Sequence, residues 1–350
     1  MKKIILVMGI IALMLNSILA QNPTRVGTTA ANFLEIGYGT AGSGMGDAYV
    51  SMANDLSSIY WNPAGLANLK QYEAMFILQP WIEETKSIMA GVGFVLPKIG
   101  TLAMSVISMD YGEMEVTTME DQEGTGEIFF SSDMAFIFSF GRKLATWFST
   151  GASVKYITSK IWHTSANAVA FDFGVLINTS FFSPTGNTGQ GLKIGMSISN
   201  YGTRMQYDGM DLMNPIDILP DEGGNYGYVE GQFRMQEWEL PLIFRIGTAI
   251  NLFYNDYHQL TIAGDALHPN NNGESVNVGV QYVFNMPSMG KVYFRGGYKA
   301  LFMNNSEYGP SFGFGITTHL LHNTGISFEY AYRDIGILGN SNSYSIRINF

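Results

Sequence analysis

The sequence predicts an all-β fold: a 14-stranded antiparallel transmembrane β-barrel of the bacterial outer membrane, with an N-terminal plug. Three observations carry that prediction. Charged residues make up only 14% of the chain, while aromatics reach 13% and glycines number 40; a typical soluble domain is roughly 25% charged. Beyond residue 20 no apolar run approaches the roughly 18 residues of a membrane helix. From residue 72 onward apolar and polar residues alternate with period two, as in strands with one face to lipid and the other to a lumen.

The first element is an export signal. Lys2 and Lys3 precede an apolar run over 4–15, and Ser17 to Ala20 lead to Gln21. A charged start, a short apolar core and a small residue at the cut describe a secretory signal peptide over 1–20. Gln21 in place of a cysteine leaves no lipoprotein signal. The chain contains no cysteine at all, so an exported protein of this size is stabilised by packing or by a sheet closed on itself. Net charge is −10, or −12 once Lys2 and Lys3 are removed, which argues against nucleic acid as a partner.

Residues 21–70 are the expected plug, inside the lumen. Five glycines fall within 37–46, Gly42, Gly44 and Gly46 among them, and the turn Asn62, Pro63, Ala64, Gly65 follows. A segment packed inside a closed lumen must lie close to strand backbones, and only glycine permits that freely. The Gly-x-Gly spacing also resembles a phosphate loop, but no strand-turn-helix unit surrounds it and no lysine follows. Asp55 is placed to cap a helical turn over 56–60, which the Asn62-Pro63 pair ends.

The barrel is expected over 71–350. Its strands fall near 72–83, 86–96, 100–111, 129–141, 146–160, 166–179 and 190–201, then 238–252, 257–267, 275–285, 290–301, 309–321, 324–333 and 342–350. Even-numbered connections are mostly short, 181–189 being the exception, whereas odd ones include the long 112–128 and 202–237. Bacterial barrels pair short periplasmic turns with longer outer loops in this way. The chain closes on Tyr344, Ile346, Ile348 and Phe350, alternate apolar residues ending in phenylalanine, which resembles the signal for outer-membrane insertion.

Ions recur on the polar faces: Asp172, Lys193, Glu239, Arg245, Arg295, Lys299, Glu329, Arg333 and Arg347. A charge facing lipid at mid-depth costs roughly 2–4 kcal/mol, so these side chains belong in the lumen. Asp172, Glu239, Arg245, Arg295, Glu329 and Arg333 are expected to form an ion network that pairs internally and holds the plug. No histidine sits at metal-ligand spacing, and no catalytic constellation assembles, so neither metal, cofactor nor enzymatic activity is expected. The loop 202–237 carries Met205, Tyr207, Met210, Met213, Tyr226 and Tyr228, a methionine-rich outer surface suited to an adaptable partner. The same residues also suit a loop that folds over the mouth.

The segments 44–50 and 54–66, followed by 240–247 with Arg245, 265–277 with Asp265, His268, Asn270, Glu274 and Asn277, 295–299, and 330–339, together resemble the PorV/PorQ family, part of the FadL-like group of outer-membrane barrels. The resemblance runs in order through the whole mature chain. It implies a fourteen-stranded barrel with the N-terminal segment folded inside, and the Asn62-Gly65 turn in the lumen. It departs from the commonest pattern at Asp47, where glycine is frequent, and at Asn272, where aspartate often stands. Members of the family include the component of the type IX secretion apparatus that receives cargo through a C-terminal signal domain, while FadL carries fatty acids. The expected role is therefore a type IX secretion-associated component that binds or hands over secreted cargo. Its expected partners are outer-membrane lipid, a translocon and cargo signal domains. The alternative is a FadL-like transporter of hydrophobic small molecules.

Overall fold

A computed structural model describes residues 25–83, 85–224, 229–287, 289–303, 306–321 and 324–350. The expected signal peptide, 1–20, lies outside the described residues. The strands, in chain order, are β1 (Glu73–Pro80), β2 (Lys86–Leu96), β3 (Gly100–Glu115), β4 (Ile128–Ala145), β5 (Phe148–Ile161), β6 (Thr164–Asn178), β7 (Lys193–Gly202), β8 (Asp208–Gly209), β9 (Met213–Ile216), β10 (Val229–Gln232), β11 (Ile243–Tyr254), β12 (His258–Pro269), β13 (Ser275–Met286), β14 (Gly290–Leu301), β15 (Pro310–Leu321), β16 (Thr324–Asp334) and β17 (Asn340–Asn349).

Among the described residues fourteen of these, β1–β7 and β11–β17, form one antiparallel barrel. Closure is made by the first and last strands, Glu73 facing Asn349 and Leu78 facing Tyr344. A closed barrel satisfies every strand edge internally, which is the condition for a sheet to cross a bilayer. β8 extends the edge of β6, and β9 and β10 form a separate hairpin within the long β7–β11 connection.

The burial pattern is inverted relative to a water-soluble sheet. Phe244, Ile246, Val278, Val280, Phe312, Phe314, Phe328 and Tyr330 are exposed on the outer face. Between them Arg245, Asn277, Ser311, Ser327 and Glu329 are buried. An exposed apolar face around a buried polar one is stable only where the surroundings are hydrocarbon. Tyr344, Ile346, Ile348 and Phe350 share that outward face, and Tyr72 stacks edge-on against both Phe94 and Phe350 where the barrel closes.

One end of the barrel carries the C-terminus and the tight connections 97–99, 146–147 and 255–257, with 179–192 the longer exception. The other carries 116–127, 203–242 and 302–309, so it is the outer end by loop length. The β5–β6 connection, 162–163, is also at the outer end and is a tight hairpin, with β8 laid beside it. The strand before β12 begins at Ile243 rather than near 238. Pro241 cannot donate to a ladder, and residues 238–242 form the base of the long loop instead.

Residues 33–69 fill the interior. They form short helical turns, Asn32–Glu35, Thr40–Gly44, Ser58–Trp61 and Pro63–Asn68, joined by irregular chain. Tyr38, Met45, Leu56, Ile59, Trp61 and Leu66 are essentially inaccessible and pack with Ile77, Met89, Ile107 and Ile157 from the wall. None of these helices could persist alone at four to six residues; their stability comes from the surrounding barrel.

Candidate functional site

The plug runs from the outer end to the periplasmic end. At the outer mouth Thr29 bridges to Glu239, and the Ala30 amide donates to the Glu239 carbonyl at 2.9 Å. Asn271, in the 270–274 connection, donates to Thr29 Oγ1 at 2.8 Å and to Glu35 Oε2 at 3.0 Å. Burial pushes the Glu35 carboxyl above its usual range, and the hydrogen bond from Asn271 pulls it part of the way back. Further in, the chain passes β14 and β15, then β5 and β6, and reaches β1 at the periplasmic rim.

Close approach between plug and wall is made by glycine on both sides. A Cβ on Gly46 would sit 2.4 Å from the Tyr298 amide nitrogen, and one on Gly44 would sit 2.8 Å from Gly313 Cα. Gly42 instead accommodates the Trp61 ring inside the plug. On the wall, a Cβ on Gly297 would fall 2.2 Å from the Met45 carbonyl carbon, and one on Gly151 would fall 2.3 Å from that of Pro63. Gly141, Gly151 and Gly174 are cross-strand partners in register on β4, β5 and β6, so the wall presents a bare backbone track to the plug.

The turn at Asn62 locks into that track. Asn62 donates to the carbonyls of Val50 and Val175, both at 3.0 Å, and its Oδ1 accepts from the Ala64 amide at 3.1 Å. Pro63, Ala64 and Gly65 are buried behind it. The helix is Ser58–Trp61 rather than 56–60 and its N-cap is Ser57, with no side-chain cap bond, so Asp55 is not its cap; Asp55 instead accepts from the Ser57 amide at 3.0 Å in the turn ahead of it.

Two buried ion clusters join plug to wall. Asp47 binds Lys299 (2.8 Å) and Arg333, and Arg333 also donates to the Ile36 carbonyl at 2.7 Å and to Ser43 at 3.0 Å. Asp47 has a left-handed backbone, φ 64°, a conformation glycine adopts freely and aspartate tolerates. Glycine would fit the backbone but leave Lys299 and Arg333 facing each other uncompensated. Deeper, Asp55 binds Arg347 at 2.8 Å, and Arg295 binds Glu329 at 3.3 Å and Gln281 at 2.8 Å.

Of the expected ion network, Arg295, Glu329 and Arg333 are thus placed in the interior. Arg245 is also interior, but it donates to Ser199 at 3.0 Å and lies over the Tyr60 and Trp61 rings. Asp172 is paired with Lys155 at 2.6 Å, a diagonal neighbour across β5 and β6. Together with Asn200, which receives Lys155 Nζ and donates to the Pro241 carbonyl, this pair pins the base of the long loop. Glu239 does not belong in the lumen: its side chain is 41% exposed at the outer mouth, beside Arg25 and Arg204. The plug carboxylates Asp47 and Asp55 are the residues sequence reasoning missed.

The expected partner loop divides in two. Met205 is buried, its backbone bridged to Trp238, and the Tyr207 hydroxyl lies 2.5 Å from that of Ser159, which in turn meets Asp133. These two residues therefore cap the mouth. Met210 (77%) and Met213 (49%) are exposed, with Ile216, Ile218, Phe233 and Met235 around them. Tyr226 and Tyr228 lie outside the described residues.

An apolar concavity of about 560 Å³ lies in the wall at β1–β5. Met75, Gly91, Ser105 and Ile137, consecutive partners in register, form its floor. The outward side chains Val92, Met104, Phe136 and Phe138 form its sides, so it opens to lipid and not to the lumen. Among the described residues no cluster of three or more His, Asp or Glu is arranged to hold a metal.

Residues 19–229, more than half of the chain, match the family described as type IX secretion system protein PorV. The chain belongs to the PorV family. No curated protein matches it in sequence. In fold, this PorV-family chain is similar to the monoaromatic hydrocarbon channel CymD (TM-score 0.54, 10% identity, 90% of this chain and 98% of that one). It is likewise similar to the toluene transporter TodX of Pseudomonas putida (0.55, 10%, 89% and 97%) and to a Pseudomonas aeruginosa FadL homologue (0.53, 12%, 89% and 97%). This PorV-family protein is accordingly an integral outer-membrane β-barrel, FadL-like in fold, with a plugged lumen.

Proposed function

We propose that this protein is a secretion-associated component that receives an exported protein at its outer face and hands it on, with the barrel acting as a membrane-seated platform. The observation that carries this reading is the contrast between lumen and loop. The lumen is occupied by a plug tied to the wall by buried ion pairs and backbone-to-backbone contact, whereas the 210–235 segment offers exposed Met, Ile and Phe side chains to the outside. Exposed apolar area rimmed by polar residues is a common property of protein-binding surfaces. The family match points the same way.

The second reading is transport of small hydrophobic molecules. The solved structures similar in fold are hydrocarbon channels and a FadL homologue, and to that extent the comparisons favour it over the first. It requires a route past the plug. The apolar furrow on β1–β5 could collect such molecules from lipid, yet Leu56 of the plug lies directly behind Gly91.

Affinity recovery of the tagged protein from detergent-solubilised outer membrane, with bound proteins and lipids both identified, separates the two. Recovery of a large translocon subunit or of proteins sharing a C-terminal domain is the expected result. Hydrophobic small molecules without such proteins would overturn it in favour of transport.

A further inference from the structure

The long outer loop is a β-ribbon. From its base at Met205 and Trp238 it rises through the Leu212–Phe233 contact to the β9–β10 hairpin, whose residues are almost all exposed. Within the hairpin Met213 faces Gln232, Pro215 faces Glu230 and Ile216 faces Val229. The Phe233 amide donates to the Leu212 carbonyl at 2.9 Å, which makes that pair hydrogen-bonded. Antiparallel ladders alternate, so Gly231–Asn214 and Val229–Ile216 are bonded pairs too, and Pro215, Glu230 and Gln232 turn their backbone groups outward, while the Met213 N–H closes the preceding turn by donating to the Met210 carbonyl.

The two free edges therefore differ. On β9 the outward position 215 is proline, which has no N–H, so that edge is blunted. On β10 both outward positions, Glu230 and Gln232, keep N–H and C=O, and among the described residues no strand pairs with them. An unpaired edge with regular donors and acceptors is a template for strand addition. The charge of the loop restricts what can add. Residues 203–239 hold eight carboxylates against two arginines, Arg204 and Arg234.

We propose that β10 receives an extended, basic segment of a partner protein by antiparallel or parallel strand addition, with its Lys or Arg side chains beside Glu230. This deepens the secretion-associated reading and rests on it. A second copy of the chain is the disfavoured occupant, because edge-to-edge pairing would bring two strongly acidic loops together. The added strand continues the ribbon, and Val229 and Phe233 on one face give its alternate apolar side chains a surface to cover.

The test uses the full chain in lipid nanodiscs and an extended probe peptide of about eight residues alternating Lys and Val. Its Glu–Val counterpart and a version N-methylated at alternate residues serve as controls. The Lys–Val peptide binds and slows amide exchange at Glu230 and Gln232; the two controls do not. Gln232→Pro, which removes one outward N–H and no ribbon bond, weakens binding about tenfold or more. Gln232→Ala, which keeps the N–H but loses the side-chain bond to Asp208, stays within about twofold. Equal loss in Gln232→Ala and Gln232→Pro, equal binding of the Glu–Val peptide, or self-association of the chain that Gln232→Pro abolishes would each overturn the proposal. In cells, deletion of 210–234 distinguishes the two levels. If the intact chain recovers no partner protein, the secretion reading fails and strand addition with it; if recovery survives the deletion, or the deletion abolishes it and Gln232→Pro does not, only strand addition fails.

Discussion

The plug and the outer ribbon are both irregular insertions in the same barrel, and they have opposite physical designs. The plug, 33–69, is nearly inaccessible, glycine-rich where it meets the wall, and two of its three carboxylates, Asp47 and Asp55, are matched to Lys299, Arg333 and Arg347, while Glu35 accepts from Asn271. The ribbon, described over 210–224 and 229–234, is mostly exposed and acidic, and Met210, Met213, Ile216, Ile218 and Phe233 present apolar side chains to the outside. Close packing with buried ion pairs to the wall suits a part that stays. Unpaired edges and exposed apolar side chains suit a part that meets something else.

Substitutions at the two sites should therefore differ sharply in effect. Trp61→Ala empties a fully buried position against Gly42 and Tyr60 and costs about 3–5 kcal/mol, read from urea unfolding in lipid vesicles. Arg333→Ala leaves Asp47 buried with Lys299 alone and costs about 3 kcal/mol or somewhat more; the same unfolding midpoint measures it, and a loss under half that size would weaken the anchoring account.

How much of this was legible in the sequence follows from range. Strand alternation is local, so thirteen of the fourteen expected strands differ from β1–β7 and β12–β17 by only a few residues at each end. The remaining one, β11, starts late because alternation was extended through Pro241, and that error carried Glu239 into the lumen. The glycine track was visible as composition, but not that Gly151 and Gly174 would face Pro63 and Asn62. Asp47 and Asp55 could not be recognised as anchors, since their partners lie some 250 to 290 residues further on. Nor does alternation say how far a loop folds back: Met205 and Tyr207 turn inward while Met210 and Met213, a few residues later, do not.

A smaller effect concerns Glu35 at the outer end of the plug. Because burial holds its carboxyl above the unfolded value, the protonated form favours the folded state. That contribution is complete below the unfolded pKa and is lost as pH rises through the folded one. Glu35→Gln should thus be more stable than the native protein at neutral pH, with the difference vanishing in acid; thermal midpoints at both pH values check it. The smallest effects belong to the ribbon. Met210→Ser and Phe233→Ser should each change stability by about 0.5 kcal/mol or less, while lowering recovery of a bound partner.

The most direct test of the fixed plug uses the absence of native cysteine. Thr40 Oγ1 and Ser343 Oγ lie 2.9 Å apart, across the boundary between plug and β17. In the double variant Thr40→Cys, Ser343→Cys, oxidation ties the plug to the wall, and partner recovery and protein export are then measured in the oxidised and reduced states. The account predicts the same activity in both. Activity lost on oxidation and regained with reductant would mean that the plug moves during function, and that the lumen, not the outer ribbon, is where the protein works.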